Sequence, residues 1–96
     1  MTLEELFDII DVRSKADPKT SWTAKLLAKG PEKCAEKFGE EAVEAIIEAI
    51  KNNKPKLVSE AADVLFHLLL MLKSRDVSIR EVMDELEKRQ RQSGLQ

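Results

Sequence analysis

Apolar residues recur along most of this chain every three or four positions, the period of an α-helix and not the two-residue alternation of a half-buried strand. Leu3, Leu6, Phe7 and Ile10 make the first such face. Thr2 precedes it with Glu5 three residues on, a capping box in which each side chain satisfies the other's backbone N–H, so a helix is expected from there to about Ser14. Residues 15–21 contain Asp17-Pro18 and no apolar period, which predicts a loop. A short helical stretch then starts at Ser21 or Trp22, passes through Leu26 and Leu27, and stops at Gly30.

Pro31 suits the first turn of a third helix, whose stripe of Phe38, Ala42, Ala45, Ile46 and Ala49 runs on until Asn52-Asn53 ends it. Gly39 inside this helix costs about 1 kcal/mol relative to Ala, so a small residue there is expected to admit a close backbone or ligand. Pro55 opens a fourth helix with the centre AADVLFHLLLML, apolar on every side; such a helix belongs in the core of a domain or of an oligomer. Ser78 and Glu81 form a second capping box, followed by Ile79, Val82, Met83 and Leu86 on one face and a polar, flexible tail from about residue 90 to 96. The expected architecture is all-α, a single domain over residues 1–96 built as a bundle of four to five helices. At 96 residues its own core is thin and its apolar faces exceed what one layer covers, so homodimerisation is expected to complete it.

Composition agrees with this and narrows function. Three Gly, three Pro and no Tyr, with abundant Ala, Leu, Glu and Lys, favour helix over strand. A net charge of −2 with mixed signs offers no broad basic field for nucleic acid and no polybasic patch for a membrane surface. The longest apolar run, residues 64–72, is interrupted by His67 and falls short of the roughly 20 residues that span a bilayer. Cys34 is the single cysteine and reads as a small core residue, and the N-terminus lacks the basic start and apolar centre of a signal peptide, so a cytoplasmic protein is expected.

Chemistry is concentrated in the third and fourth helices. At about 100° per residue, Glu41, Glu44 and Glu48 fall on one flank of the apolar stripe, with Glu40 a step further round from Glu44. By itself this is compatible with a solvated acidic face. The fourth helix changes the weighing, because Glu60, Asp63 and His67 share one side of a helix whose neighbouring residues are apolar, so both carboxylates are expected to be at least partly buried. Taking an ionised carboxylate out of water costs several kcal/mol unless something compensates, and no basic residue lies between Lys56 and Lys73. A metal cation is the simplest counter-charge. Oxygen donors in number, without a cysteine set and with one histidine, favour a hard ion: Mg²⁺, with Mn²⁺ as a substitute. Glu-Glu-x-x-Glu (Glu40, Glu41, Glu44), then fifteen residues, then Glu-x-x-Asp (Glu60, Asp63) lets two helices face these groups across one gap. His67 suits either a hydrogen bond to a carboxylate or a satisfied buried position, while Trp22 reads first as a core residue, with a stacking surface as the alternative.

The paired acidic motif resembles that of the MazG-like, all-α nucleotide pyrophosphohydrolases. More closely, SWTAKLLAKGPEKCAEKFGEEAVEAIIEA at residues 21–49, followed by LVSEAADVLFHLLLML at residues 57–72, is similar to the phosphoribosyl-ATP pyrophosphohydrolases of histidine biosynthesis. The resemblance implies a MazG-like bundle acting as a Mg²⁺-dependent homodimer that hydrolyses 1-(5-phosphoribosyl)-ATP to 1-(5-phosphoribosyl)-AMP and pyrophosphate. It implies metal ligands at Glu41, Glu44, Glu60 and Asp63, catalytic carboxylates at Glu40 and Glu41 with Glu40 orienting water, and substrate phosphate contacts at Lys29 and Lys37. A housecleaning nucleoside-triphosphate pyrophosphatase is the alternative, since it shares the metal chemistry. A non-enzymatic helical dimerisation module is the third reading, and it leaves the carboxylates dispensable.

Overall fold

The computed structural model describes residues 1–92 and contains five α-helices: α1 (Leu3–Ser14), α2 (Trp22–Ala28), α3 (Pro31–Ile50), α4 (Lys54–Ser74) and α5 (Ile79–Arg91). Both capping boxes form. The Thr2 hydroxyl accepts from Glu5 N–H at 3.0 Å while the Glu5 carboxylate takes Thr2 N–H at 2.9 Å, and Ser78 and Glu81 repeat the exchange at the head of α5. Ser21 caps α2, accepting from Ala24 N–H. Gly30 takes φ +97°, a left-handed value that glycine adopts without strain, and this reorients the chain before Pro31.

The turn between α3 and α4 is built from two asparagines. Asn52 adopts φ 59°, and the N–H groups of Asn52 and Asn53 return to the carbonyls of Ala49 and Glu48 at 3.1 Å, the two bonds of a Schellman ending. The Asn53 side chain then caps α4 by accepting from Lys56 N–H, so this helix starts one residue before Pro55. This turn folds the two longest helices back on each other as an antiparallel hairpin, the most extensive helix pairing in the chain.

Ile10, Leu26, Cys34, Leu69, Leu70 and Ile79 form the core, flanked by Phe7, Phe66 and Val82 among others. All of it sits at one end of the hairpin, where the C-terminal half of α4 meets α1, α2, the start of α3 and the start of α5. Cys34 is fully buried there, as expected. Among the described residues no third layer covers the other half of the hairpin: Ile46, Ile47 and Ile50 on α3 and Val58 and Leu65 on α4 are exposed, Ile50 to 81% and Val58 to 72%. Burial of the apolar centre of α4 is therefore one-ended within a single chain, and the expected core stripe of α3 is covered at Phe38 and Ala42 but open at Ile46 and Ala49.

Three local expectations are corrected. α5 continues through Arg91, past the point where a flexible tail was expected to begin; residues 93–96 of that tail lie outside the described residues. A β-carbon at Gly39 meets nothing within 4 Å, so no close approach within the chain requires glycine there. Trp22 is not core: it is 52% exposed. Among the described residues no helix is long and apolar enough to cross a membrane.

Candidate active site

The hairpin geometry brings the acidic flank of α3 against the acidic side of α4. Glu41, Glu60 and Asp63 each present a carboxylate oxygen, and the three lie within 4.8 Å of one another, so that small side-chain adjustments would bring them onto one cation. Glu41 and Glu60 are half-buried, whereas Asp63 is exposed in the single chain, contrary to the expectation that both α4 carboxylates would be shielded.

Electrostatics mark the cluster as short of positive charge. Burial raises the Glu41 carboxyl above the usual glutamate range, and the nearby Glu44 and Asp63 raise it further against the opposing pull of Lys37. Glu60 is raised in the same way, first by desolvation and then by Glu44, Asp63 and Glu48. Glu44 thus lies within proton-sharing reach of carboxylates on both helices, although it is itself exposed. One oxygen of Glu60 and one of Glu48 are shut off from solvent with no hydrogen-bond partner among the described residues. An anionic acceptor buried without a donor is expensive, and a hard divalent cation held by oxygens supplies what is missing, so the donor set fits Mg²⁺.

His67 closes one end. It is 6% exposed, its Nε2 lies 4.0 Å from a Glu41 carboxylate oxygen, and its ring packs edge-on against Phe66 with centroids 5.3 Å apart. Burial, followed by the nearby Lys37 charge, lowers its pKa and favours the neutral imidazole. Nδ1 has no partner. In the neutral ring the proton placed on Nε2 points the donor at Glu41.

The remaining sequence-selected residues divide. Lys37 reaches the cluster, 4.0 Å from Glu41, while pairing more closely with Glu40 at 3.2 Å; Glu40, chiefly through that bond, raises the lysine pKa. Glu40 is therefore turned toward Lys37 and is not one of the three carboxylates that meet. Lys29 is the exposed C-cap of α2 and forms no ion pair among the described residues. Glu48 is the carboxylate that the motif-based selection left out. Its signal was present in the sequence, four residues beyond Glu44 on the same flank, but the Glu-Glu-x-x-Glu motif stops short of it.

With this geometry fixed, comparison with known proteins is decisive. The family model described as phosphoribosyl-ATP pyrophosphohydrolase matches residues 3–90. The chain belongs to that family. Among curated phosphoribosyl-ATP pyrophosphohydrolase relatives, each named phosphoribosyl-ATP pyrophosphatase, that of Dinoroseobacter shibae is 67% identical over 93 residues, covering 97% of this chain and 91% of its own. The relative from Paracoccus denitrificans is 64% identical over 94 residues, covering 98% and 87%, and that from Ruegeria pomeroyi is 64% identical over 93 residues, covering 97% and 89%. All five helices begin inside the matched segment, so the family match includes the whole acidic hairpin.

Proposed function

We propose that this chain hydrolyses 1-(5-phosphoribosyl)-ATP at its α–β phosphoanhydride, adding water across that bond to release 1-(5-phosphoribosyl)-AMP and pyrophosphate, as a cytoplasmic enzyme of histidine biosynthesis. One observation carries the reading: carboxylates from two facing helices converge within 4.8 Å, with buried oxygens that lack any donor, in a chain of this family.

Mg²⁺, or Mn²⁺ in its place, would be held by Glu41, Glu60 and Asp63, with Glu44 at the edge of the same gap. When bound, the ion screens the triphosphate and acidifies a water. Glu41 is steadied by His67 from α4. Glu40, four residues before Glu44 and exposed, is the carboxylate assigned to orient water and accept its proton; its bond to Lys37 keeps that side chain at the rim of the cluster. Lys37, and Lys29 from the end of α2, offer positive charge to phosphate oxygens.

The open half of the hairpin supports a homodimer. Ile46, Ile47 and Ile50 on α3 and Val58 and Leu65 on α4 are exposed apolar residues on the same hairpin, and a second copy that covers them would also close the site around the exposed Asp63. Incubating the protein with phosphoribosyl-ATP and Mg²⁺ and identifying the products tests the proposal. Phosphoribosyl-AMP and pyrophosphate in equal amounts support it, whereas faster turnover of ordinary nucleoside triphosphates would favour a housecleaning pyrophosphatase.

A further inference from the structure

Beside the acidic hairpin, a cleft of about 390 Å³ opens between the end of α1, the loop after it, the start of α2 and the middle of α4. Arg13, Thr20, Ser21, Trp22, Thr23 and Phe66 line it. Its volume lies within the range of small-molecule sites. The floor is braced: the Arg13 carbonyl accepts from Ala16 N–H at 3.1 Å and from the Ser21 hydroxyl at 3.3 Å, and the Thr20 hydroxyl donates to the Asp17 carbonyl at 3.2 Å. Thr23 is buried in the wall. Two aromatic rings, an arginine and hydroxyl groups therefore surround one space held in place by its own backbone.

Packing leaves Trp22 unexplained, since the indole is half-exposed although it is the chain's one tryptophan. Arg13 sits in the last turn of α1, where a cation suits the helix end, and its guanidinium forms no ion pair among the described residues, so it can meet an anion. The cleft and the acidic site share α4 as a wall. Phe66 lies three residues beyond Asp63, a rise of about 4.5 Å along the helix, and its ring meets the edge of His67, which faces Glu41. A ligand whose triphosphate rests at Glu60 and Asp63 can thus extend past Phe66 into the cleft.

We infer that this cleft binds the sugar 5-phosphate arm of the substrate, with Arg13 on its phosphate and Trp22 and Phe66 against the ribose and the purine edge that carries it. The inference rests on the substrate proposed above and adds where its second phosphate is read. A planar guanidinium matches phosphate oxygens two at a time, and aromatic faces suit the apolar faces of sugar and base. The cleft makes the enzyme prefer a triphosphate bearing this arm over one without it.

Two measurements on the full chain test it. In steady-state pyrophosphate release at saturating Mg²⁺, Arg13→Gln is expected to lower kcat/KM for phosphoribosyl-ATP by about tenfold or more, chiefly through KM, with Arg13→Lys recovering part of the loss. In the metal-free protein, ribose 5-phosphate is the probe: it should change Trp22 fluorescence saturably, and Arg13→Gln should weaken that response. Unchanged KM in Arg13→Gln together with a flat fluorescence titration overturns the cleft assignment while leaving the hydrolase reading intact. If the wild type does not turn over phosphoribosyl-ATP yet ribose 5-phosphate still perturbs Trp22 in an Arg13-dependent way, the hydrolase reading fails and the sugar-phosphate site stands.

Discussion

His67 Nε2 and a Glu41 carboxylate oxygen face each other at 4.0 Å across the gap between α4 and α3, the one place where a buried imidazole looks directly at the acidic cluster. Glu44 is also within hydrogen-bond reach of Glu41, and among the described residues His67 Nδ1 has no partner. The pair sets a carboxylate of α3 opposite an imidazole of α4, so the turn at Asn52 and Asn53 decides which of these groups meet as well as the topology.

His67→Phe should therefore raise the Mg²⁺ concentration needed for half-maximal activity by roughly tenfold or more, the usual scale for losing a group that orients a metal ligand. His67→Gln, which keeps a donor, should recover much of that. Metal-free melting temperatures separate this from a packing defect: they should fall little in His67→Phe, because the substitution also removes the partnerless Nδ1 from the interior. Equal Mg²⁺ requirements in wild type and His67→Phe would remove His67 from the account.

Asp11 and Lys73 clamp α1 to α4 through a direct ion-pair hydrogen bond, and that bond, followed by the Lys73 charge, pulls the Asp11 carboxyl below its ordinary value of 3.8. A depressed acid contributes stability that is present above the unfolded value and disappears as pH falls through the folded one. Asp11→Asn should lower the melting temperature by a few degrees at neutral pH, and the difference should shrink as the pH drops below about 3.8. A difference that is constant from neutral to strongly acid pH would contradict the ion-pair explanation.

Ser78 caps α5 at the edge of the core, where Ile79 is buried. Replacing it with Ala leaves the Glu81 N–H without its acceptor and should cost about 1 kcal/mol in denaturant melts. An unchanged midpoint would mean that α5 is held by packing alone.

Ile46→Glu places a charge in the middle of the open apolar face and should convert the protein from dimer to monomer in light scattering at micromolar concentration. A wild type that is already monomeric there would defeat the dimer proposal.

The helices were legible because their signals are local. Capping boxes, Asn52-Asn53 and the 3.6-residue period act within a few residues, and each helix begins within a residue or so of where these signals place it. Convergence of Glu41, Glu60 and Asp63 was legible too, since a short turn between two long helices leaves one register in which their acidic sides meet. Burial was harder to read. An all-round apolar α4 implies cover without saying whether it comes from the same chain, and in this chain it comes at one end only. The Lys37–Glu40 pairing competes with the role assigned to Glu40, and motif spacing does not register competition between neighbours. Glu48 and the cleft at Trp22 depend on which oxygens and rings the tertiary packing leaves without partners.

Whether the acidic hairpin is a metal-dependent catalytic site is decided by a pair of melting curves with and without Mg²⁺, beside pyrophosphate release from phosphoribosyl-ATP, for wild type, Glu60→Gln and Asp63→Asn. Both variants should lose nearly all activity. Without metal, Glu60→Gln should melt at or above the wild-type temperature: a raised carboxyl makes the fold hold its proton more tightly, so the wild type loses stability as pH rises past the ordinary glutamate value of 4.5, and the amide does not. Added Mg²⁺ should stabilise the wild type and leave the variants nearly unmoved. Full turnover in excess EDTA, wild-type activity in either variant, or equal stabilisation of all three proteins by Mg²⁺ would contradict a catalytic metal site in the hairpin.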